Sequence, residues 1–288
     1  MTDPGPDTPL PGPRAADTGG AWATGGAVAN TGIIIGPVTV GANQNRYVVE
    51  PWTPAAPARP AASASPSWLL GARYQVVAFT GRTQELADLT GWRDGADRVC
   101  VRLLHGLGGQ GKTRLAAQFA ATTAAVPGWQ VYTVRHDSTL GPPAPSAQAP
   151  AASRGVLIVI DYAERWPTDD LLAVMRHRLL TPAGPIRLLL VSRPAGPWWQ
   201  GLRHHLGTND IPTTSQRLSP LADTPTARRE VFTHAVTAFA GQLGVADTSP
   251  ITPPAMDGDV WQLVLTIHMA ALAAVDDPTA GKKALQRL

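Results

Sequence analysis

Hydrophobic positions are unevenly spread along the chain. The first 66 residues hold 11 Pro and 9 Gly with few large apolar side chains, a composition that buries too little surface to offset the entropy of ordering it. Residues 1–66 are therefore expected to be a low-complexity, disordered tail and linker. The exception is Ile33 to Val40, where two β-prone triplets flank Gly36-Pro37 and could form a short docking strand or strand pair. From Trp68 onward, short aliphatic runs alternate with helical spacing. Leu86, Leu89 and Trp92 share a helical face, and Val99 to Leu104 reads as a strand buried on both sides. Leu115 and Phe119 lie four apart in a helix over 112–121, and Gln130 to Val134 reads as a further strand, followed by a Pro- and Ala-rich loop from His136 to Arg154.

Val156-Leu157-Ile158-Val159-Ile160 is the strongest strand and ends at Asp161. Thr168 is placed to cap a helix whose apolar stripe is Leu171, Leu172, Met175 and Leu179. Ile186 to Val191 is another buried strand, ending at Ser192-Arg193-Pro194. The remainder reads as helical: one helix opens at Pro225 with Val231, Ala235 and Phe239 aligned, and a last one runs from about Val260 to Val275. Alternation of buried strands and helices predicts an α/β fold, a mostly parallel sheet covered on both faces, with a helical cap. The expected domains are 67–215 around the sheet, 216–280 as a helical lid, and 281–288 as a C-terminal tail.

Composition and charge narrow the class. Cys100 is the single cysteine, which excludes an internal disulfide and makes a reducing, cytoplasmic setting the expectation. The net charge is +3 with basic residues scattered, so a dedicated nucleic-acid-binding surface is not indicated. No apolar run approaches the roughly 18 residues of a membrane span, and the N-terminus lacks a secretory layout. His204 and His205 are neighbours that diverge on a helix, so they suggest no metal site. Trp198 and Trp199 read as packing between sheet and helix, and His268 and Cys100 as core.

The sharpest signal is Gly106-Leu107-Gly108-Gly109-Gln110-Gly111-Lys112-Thr113, a G-x-x-x-x-G-K-T run between a strand and a helix. Glycines let successive amides turn toward phosphate oxygens at the positive end of the helix. Lys112 offers a mobile charge to β and γ phosphates, and the Thr113 hydroxyl can ligate Mg²⁺. Only three lysines stand against 21 arginines, and Lys112 is the sole one before residue 282. Its presence where the motif demands it argues for function. Asp161 suits the acidic Mg²⁺ position, Glu164 is a candidate base for orienting water, and Arg193 would reach the same sheet edge to sense γ-phosphate charge.

With these motifs in view, the chain resembles the STAND class of signal-transduction ATPases, which includes the NB-ARC and NACHT groups and is related to bacterial AAA-type ATPases. The resemblance covers about residues 68–275. It rests on the GxGGxGKT loop Gly106 to Thr113 and on Val76-Val77-Ala78-Phe79-Thr80-Gly81-Arg82 with Glu85-Leu86, similar to a turn that packs near adenine in that class. Leu157 to Glu164, Leu188 to Arg193 and Leu218-Ser219-Pro220-Leu221 resemble the Mg²⁺ strand, the sensor strand and the approach to the lid. It implies a three-layer P-loop NTPase fold with an ASCE/AAA-like parallel sheet, and ATP or ADP with Mg²⁺ as ligands. The implied contacts are Gly81, Arg82, Gly106, Gly108, Gly109, Gln110, Gly111, Lys112, Thr113 and Arg114, with Thr113 and Asp161 at the metal and Lys112, Asp161, Glu164 and Arg193 in hydrolysis. It further implies a slow ATPase switch that self-associates or meets a protein partner, without membrane contact.

Two departures qualify the resemblance. Tyr162 follows Asp161 where many relatives carry a second acid, and Leu265 to Ala271 stands where a G-x-P motif is usual. Relatives continue into a winged helix and a repeat sensor, whereas this chain ends at Leu288, so the expectation is either a truncated or minimal member or one whose tail and partners supply sensing and output. An interaction module that holds nucleotide without turnover is the alternative, and a P-loop kinase a lesser one.

Overall fold

The computed structural model describes residues 47–54, 66–136, 154–175 and 184–276. The stretch Ile33 to Val40, most of the His136 to Arg154 loop, Leu179 and the tail 281–288 lie outside them.

A six-stranded sheet runs in the order β1 (Tyr47–Pro51), β3 (Trp129–His136), β4 (Gly155–Ile160), β5 (Ile186–Ser192), β2 (Val99–His105) and β6 (Thr213–Arg217). β1 is antiparallel to β3, and the other pairings are parallel. The fold class is thus α/β with a mostly parallel sheet. Two strands depart from the sequence expectation. β1 lies inside the segment expected to be tail, its Tyr47 buried and its Glu50 paired with Arg135 of β3 at 2.6 Å. β6 lies in a region read as helical. Its sequence, Thr-Thr-Ser-Gln-Arg, has no apolar alternation because it forms the sheet's outer edge, where backbone pairing with β2 does the work.

The central strands are buried on both faces, which is why they read as unbroken aliphatic runs. In β2 and β5 alternate residues point to opposite sides. Leu104, Leu189 and Val191 pack with Leu89 and Trp92 of α1 (Thr83–Arg93) and Leu115 and Phe119 of α2 (Lys112–Ala124). Val101, Leu103, Leu188 and Leu190 pack on the other side with Leu171 of α3 (Thr168–Met175) and Trp199, Leu202 and Leu206 of α4 (Pro197–Gly207). Three layers result. Thr168 begins α3 and does not cap it: the Pro167 carbonyl accepts from the Asp170 and Leu171 amides.

A separate apolar cluster holds the lid together. Phe232, Val236 and Phe239 of α5 (Pro225–Leu243) meet Ile267, Ala271 and Val275 of α6 (Val264–Asp276). Thr224 caps α5, its hydroxyl accepting from the Ala227 amide at 3.2 Å, with Pro225 at the first turn. The expected last helix is broken at Leu263, whose ψ of 116° is extended, into a 3-10 turn over Asp259–Gln262 and α6. Leu69 and Val77, which precede α1, pack into this lid cluster and not against the sheet.

One buried cation had no counterpart in the sequence reading. Arg187, near the N-terminal end of β5, is fully buried and donates to the carbonyls of Trp92, Arg93, Gly95, Asp97 and Ile186 at 2.6–3.1 Å. It satisfies the carbonyls that the C-terminal turn of α1 leaves open.

Candidate functional site

Parallel strands that neighbour one another bring their C-terminal ends to one edge. Ile160 of β4 is in register with Leu190 of β5, and Ser192 of β5 with His105 of β2. The residues that follow, Asp161, Arg193 and Gly106, therefore converge at a crevice above the strand ends. The amide of Gly106 donates to the Arg193 carbonyl at 2.6 Å and so stitches the loop to the neighbouring strand.

Within the loop Gly106 to Gly111, Gly109 and Gly111 take positive φ of +79° and +85°, which glycine adopts at no steric cost. The Lys112 ammonium donates to the Gly106 and Leu107 carbonyls, each at 2.8 Å. Burial lowers its pKa, while Asp161 and Glu164 pull in the opposite direction. Thr113 donates its hydroxyl to Asp161 Oδ2 at 2.9 Å. Burial raises the Asp161 carboxyl above its ordinary range, opposed by that bond and by the Tyr162 amide.

A cavity of about 310 Å³ lies over this edge. Gly108, Gly109, Gly111, Lys112 and Thr113 form its floor; Asp161, Ser192 and Arg193 close one side, and Val264, Leu265 and His268 of α6 the other. A second, narrower cavity of about 60 Å³ is walled by Val77, Ala78, Phe79 and Thr80 with Leu221 and Val231. Gln110 and Arg82 line it as well, and Gly111, Arg114, Val264 and His268 line both. Gly81, Gly106 and Glu164 line neither. Gly81 (φ +68°) allows Leu221 to approach so closely that a Cβ would lie 2.7 Å from its Cδ1. Glu164 stands behind the edge, accepting from the Arg193 amide at 3.3 Å, with its buried Oε2 left without a partner.

Side chains tie the segment before α1 to the loop. Arg82 sits in the left-handed region (φ +58°) at the start of α1, pairs with Glu85 at 2.6 Å and donates to the Gln110 carbonyl at 3.1 Å. Arg114 donates to the Val77 carbonyl at 2.7 Å. The lid grips the loop from the other side: the Leu265 amide donates to the Gly109 carbonyl at 3.0 Å.

Several residues that line the larger cavity escaped the sequence reading, among them Ser192, Leu70 and His268. Ser192 carried a usable signal, a hydroxyl at the end of an apolar strand. Leu70 lies in an isolated 3-10 turn (Pro66–Leu70) without a motif. His268 was expected to be core; it lies beside both cavities, and among the described residues no hydrogen bond reaches its ring. Cys100 and Trp199 are buried, as expected of core residues, and His204 and His205 are exposed on α4.

The donor set fits Mg²⁺ bound to a phosphate. Thr113 and Asp161 supply two hard oxygen donors at one side of the cavity, and Mg²⁺ commonly takes its remaining ligands from phosphate and water. Among the described residues there is no group of three or more His, Cys, Asp or Glu that would form a cage without phosphate.

The strand order, with the glycine loop between β2 and α2, defines the molecule as a P-loop NTPase fold. No protein-family profile and no curated protein matches the sequence. Among solved structures it is similar to the ORC2 protein of Aeropyrum pernix in its ADPNP–ADP complexes, at 14% identity and a TM-score of 0.42 over 74% of this chain and 67% of that one. It is also similar to NtrX of Brucella abortus in complex with ATP (13%, 0.42, 69% and 54%) and to C. elegans PCH-2 (12%, 0.34, 75% and 61%). The chain thus spans between about half and two thirds of the length of these proteins. Likenesses this distant add nothing to the topology itself. Among the described residues no helix is long and apolar enough to cross a membrane.

Proposed function

We propose that this protein is an Mg²⁺-dependent ATP-binding switch of the STAND type, with slow hydrolysis that resets it. The observation that carries the reading is a single cavity in which the glycine loop, Lys112, Thr113, Asp161 and Arg193 face α6 of the lid. Loop amides and the Lys112 ammonium bind the phosphates, and Thr113 and Asp161 hold the metal. Bound Mg²⁺ would supply charge neutralisation at the β and γ phosphates. Arg193 adds a cation at the γ end, and Glu164, from behind the edge, orients the attacking water. The narrower cavity takes the base between Val77 to Phe79 and the lid.

Occupancy would be felt by the lid because Leu265 and His268 belong to α6 while the loop belongs to the sheet. That arrangement suits a protein whose self-association or partner contact depends on the bound nucleotide. A second reading, a nucleotide-held interaction module without turnover, is favoured by two observations. Tyr162 stands exposed after Asp161, and Glu164 is bonded to the Arg193 backbone.

The test is calorimetric binding and single-turnover hydrolysis with Mg²⁺ and ATP or ADP, on wild type and Lys112→Ala. Binding lost in the variant, with slow turnover in wild type, is the expected result. Binding without turnover would select the second reading, and absence of binding to wild type would overturn both.

A further inference from the structure

His268 occupies the boundary between two chemically different spaces. The larger cavity carries phosphate chemistry: glycine amides, Lys112, Thr113 and Asp161. The narrower one has an apolar wall of Val77, Ala78, Phe79, Leu221 and Val231 suited to a flat base, with Thr80, Arg82, Gln110 and His234 as its polar lining away from the larger cavity. Four residues belong to both, so whatever joins base to phosphates lies beside them. Gly111 has no side chain, Val264 is apolar, and Arg114 is a cation already donating to Val77. His268 alone among the four is a polar side chain able to be neutral, with one ring nitrogen donating and the other accepting.

The ring is also held in place. It meets Phe239 of α5 edge-on, with centroids 6.2 Å apart and planes at 86°. Burial, followed by the Arg114 charge, lowers its pKa to about 4, so near neutrality it is an uncharged imidazole and no counter-ion for phosphate. A neutral donor and acceptor pair matches a hydroxyl, which both donates and accepts.

We infer that His268 hydrogen-bonds a ribose hydroxyl of the nucleotide spanning the two cavities, and thereby makes the lid a reader of the sugar. The inference rests on the ATP-binding reading above and deepens it: the ligand class is a ribonucleotide, distinguished from its deoxy analogues by a residue of α6. His268 acts here as a specificity residue, since it lies away from the end of the site where the γ phosphate would be cleaved.

The experiment measures dissociation constants of the full chain for ATP, 2′-deoxy-ATP, 3′-deoxy-ATP and tripolyphosphate, each with Mg²⁺. Wild type should prefer ATP over at least one deoxy analogue by about 3- to 10-fold, the worth of one neutral hydrogen bond. His268→Phe keeps an aromatic ring against Phe239 and removes both nitrogens. It should lose that preference and the same factor in ATP affinity, with tripolyphosphate binding unchanged. His268→Asn keeps a donor and an acceptor and should retain part of the preference. Equal wild-type affinity for ATP and both deoxy analogues overturns the proposal without recourse to any variant. So does a His268→Phe protein that weakens tripolyphosphate as much as ATP, or one that keeps the sugar preference. In those cases loss of ATP binding in Lys112→Ala still upholds the nucleotide reading; a wild type that binds no ATP removes both.

Discussion

Arg187→Met is the substitution whose cost the structure defines best. Arg187 lies on the central strand β5, has no exposed surface, and places its guanidinium among five carbonyls without a carboxylate hydrogen-bonded to it. Methionine fills much of the stem volume but donates nothing. The bonds to Trp92 and Arg93 are fully buried, so the Arg93 carbonyl loses its donor with no water to replace it and the Trp92 carbonyl keeps only a long bond from the Gly95 amide at 3.4 Å, whereas Gly95 and Asp97 are only partly enclosed. Each stranded buried acceptor costs about 1–3 kcal/mol, and removal of a buried cation recovers part of its desolvation, leaving a net loss of about 3 kcal/mol. With a urea m-value of about 2–3 kcal/mol/M for a domain of this size, the midpoint should fall by about 1 M with an unchanged slope. Amide exchange should accelerate first over 93–97. Because Arg187 sits at the end of the sheet opposite the loop, nucleotide affinity of the folded variant should match wild type. A midpoint within 0.2 M of wild type would refute the reasoning, since about 0.5 kcal/mol is what an ordinary surface change gives.

Other outcomes follow from the site. The folded-state pKa of His268, about 4, lies below the ordinary 6.5; its stabilising contribution is complete above pH 6.5 and is lost as pH falls through 4. Wild type should therefore lose about 3 kcal/mol over that interval that His268→Phe keeps, as read from urea midpoints at pH 7 and 4. Asp161 is shifted the other way, upward by burial: what stability it gives is complete below its unfolded pKa and lost as pH rises through the folded one. At pH 7 Asp161→Asn should thus raise the unfolding temperature while removing Mg²⁺ dependence of nucleotide binding. Gly109→Ala puts a methyl 2.9 Å from Leu265 Cβ at a φ of +79°; it should destabilise by about 1–2 kcal/mol, and protease sensitivity of the lid should rise.

The sheet was readable wherever strands are buried on both faces, because a run such as Val156 to Ile160 has no other use for five consecutive aliphatics. The loop Gly106 to Thr113 was readable because its chemistry is local in sequence. β6 and β1 were not: an edge strand is held by backbone bonds, so Thr213 to Arg217 carries no apolar signature and Tyr47 to Pro51 is drowned by the Pro- and Gly-rich sequence around it. Arg187 broke no pattern, since one cation among Ile186 and three leucines and a valine reads as noise until its carbonyl partners, 90–95 residues away, are known. His268 was misread for a related reason. Helical periodicity put it on an apolar helix, but the cavity it faces is created by segments 110–114 and 77–80, which the pattern of α6 cannot reveal.

Leu69 and Val77 belong to the lid cluster, so the backbone around them travels with α5 and α6 even though α1 separates it from them in sequence. Among the described residues the chain then passes from lid to sheet at Thr80–Arg82 and back at Leu218–Asp223, and the two passages touch where Leu221 lies against Gly81. A further link joins β1 of the sheet to Leu69 of the lid cluster. Val77 and Ala78 face the narrower cavity together with Val231 and Val264 of the lid, and Gln110 and Gly111 of the phosphate loop lie across from them. A bulky residue at position 81 would press on Leu221 and so reshape the wall of the narrower cavity without touching the phosphate loop.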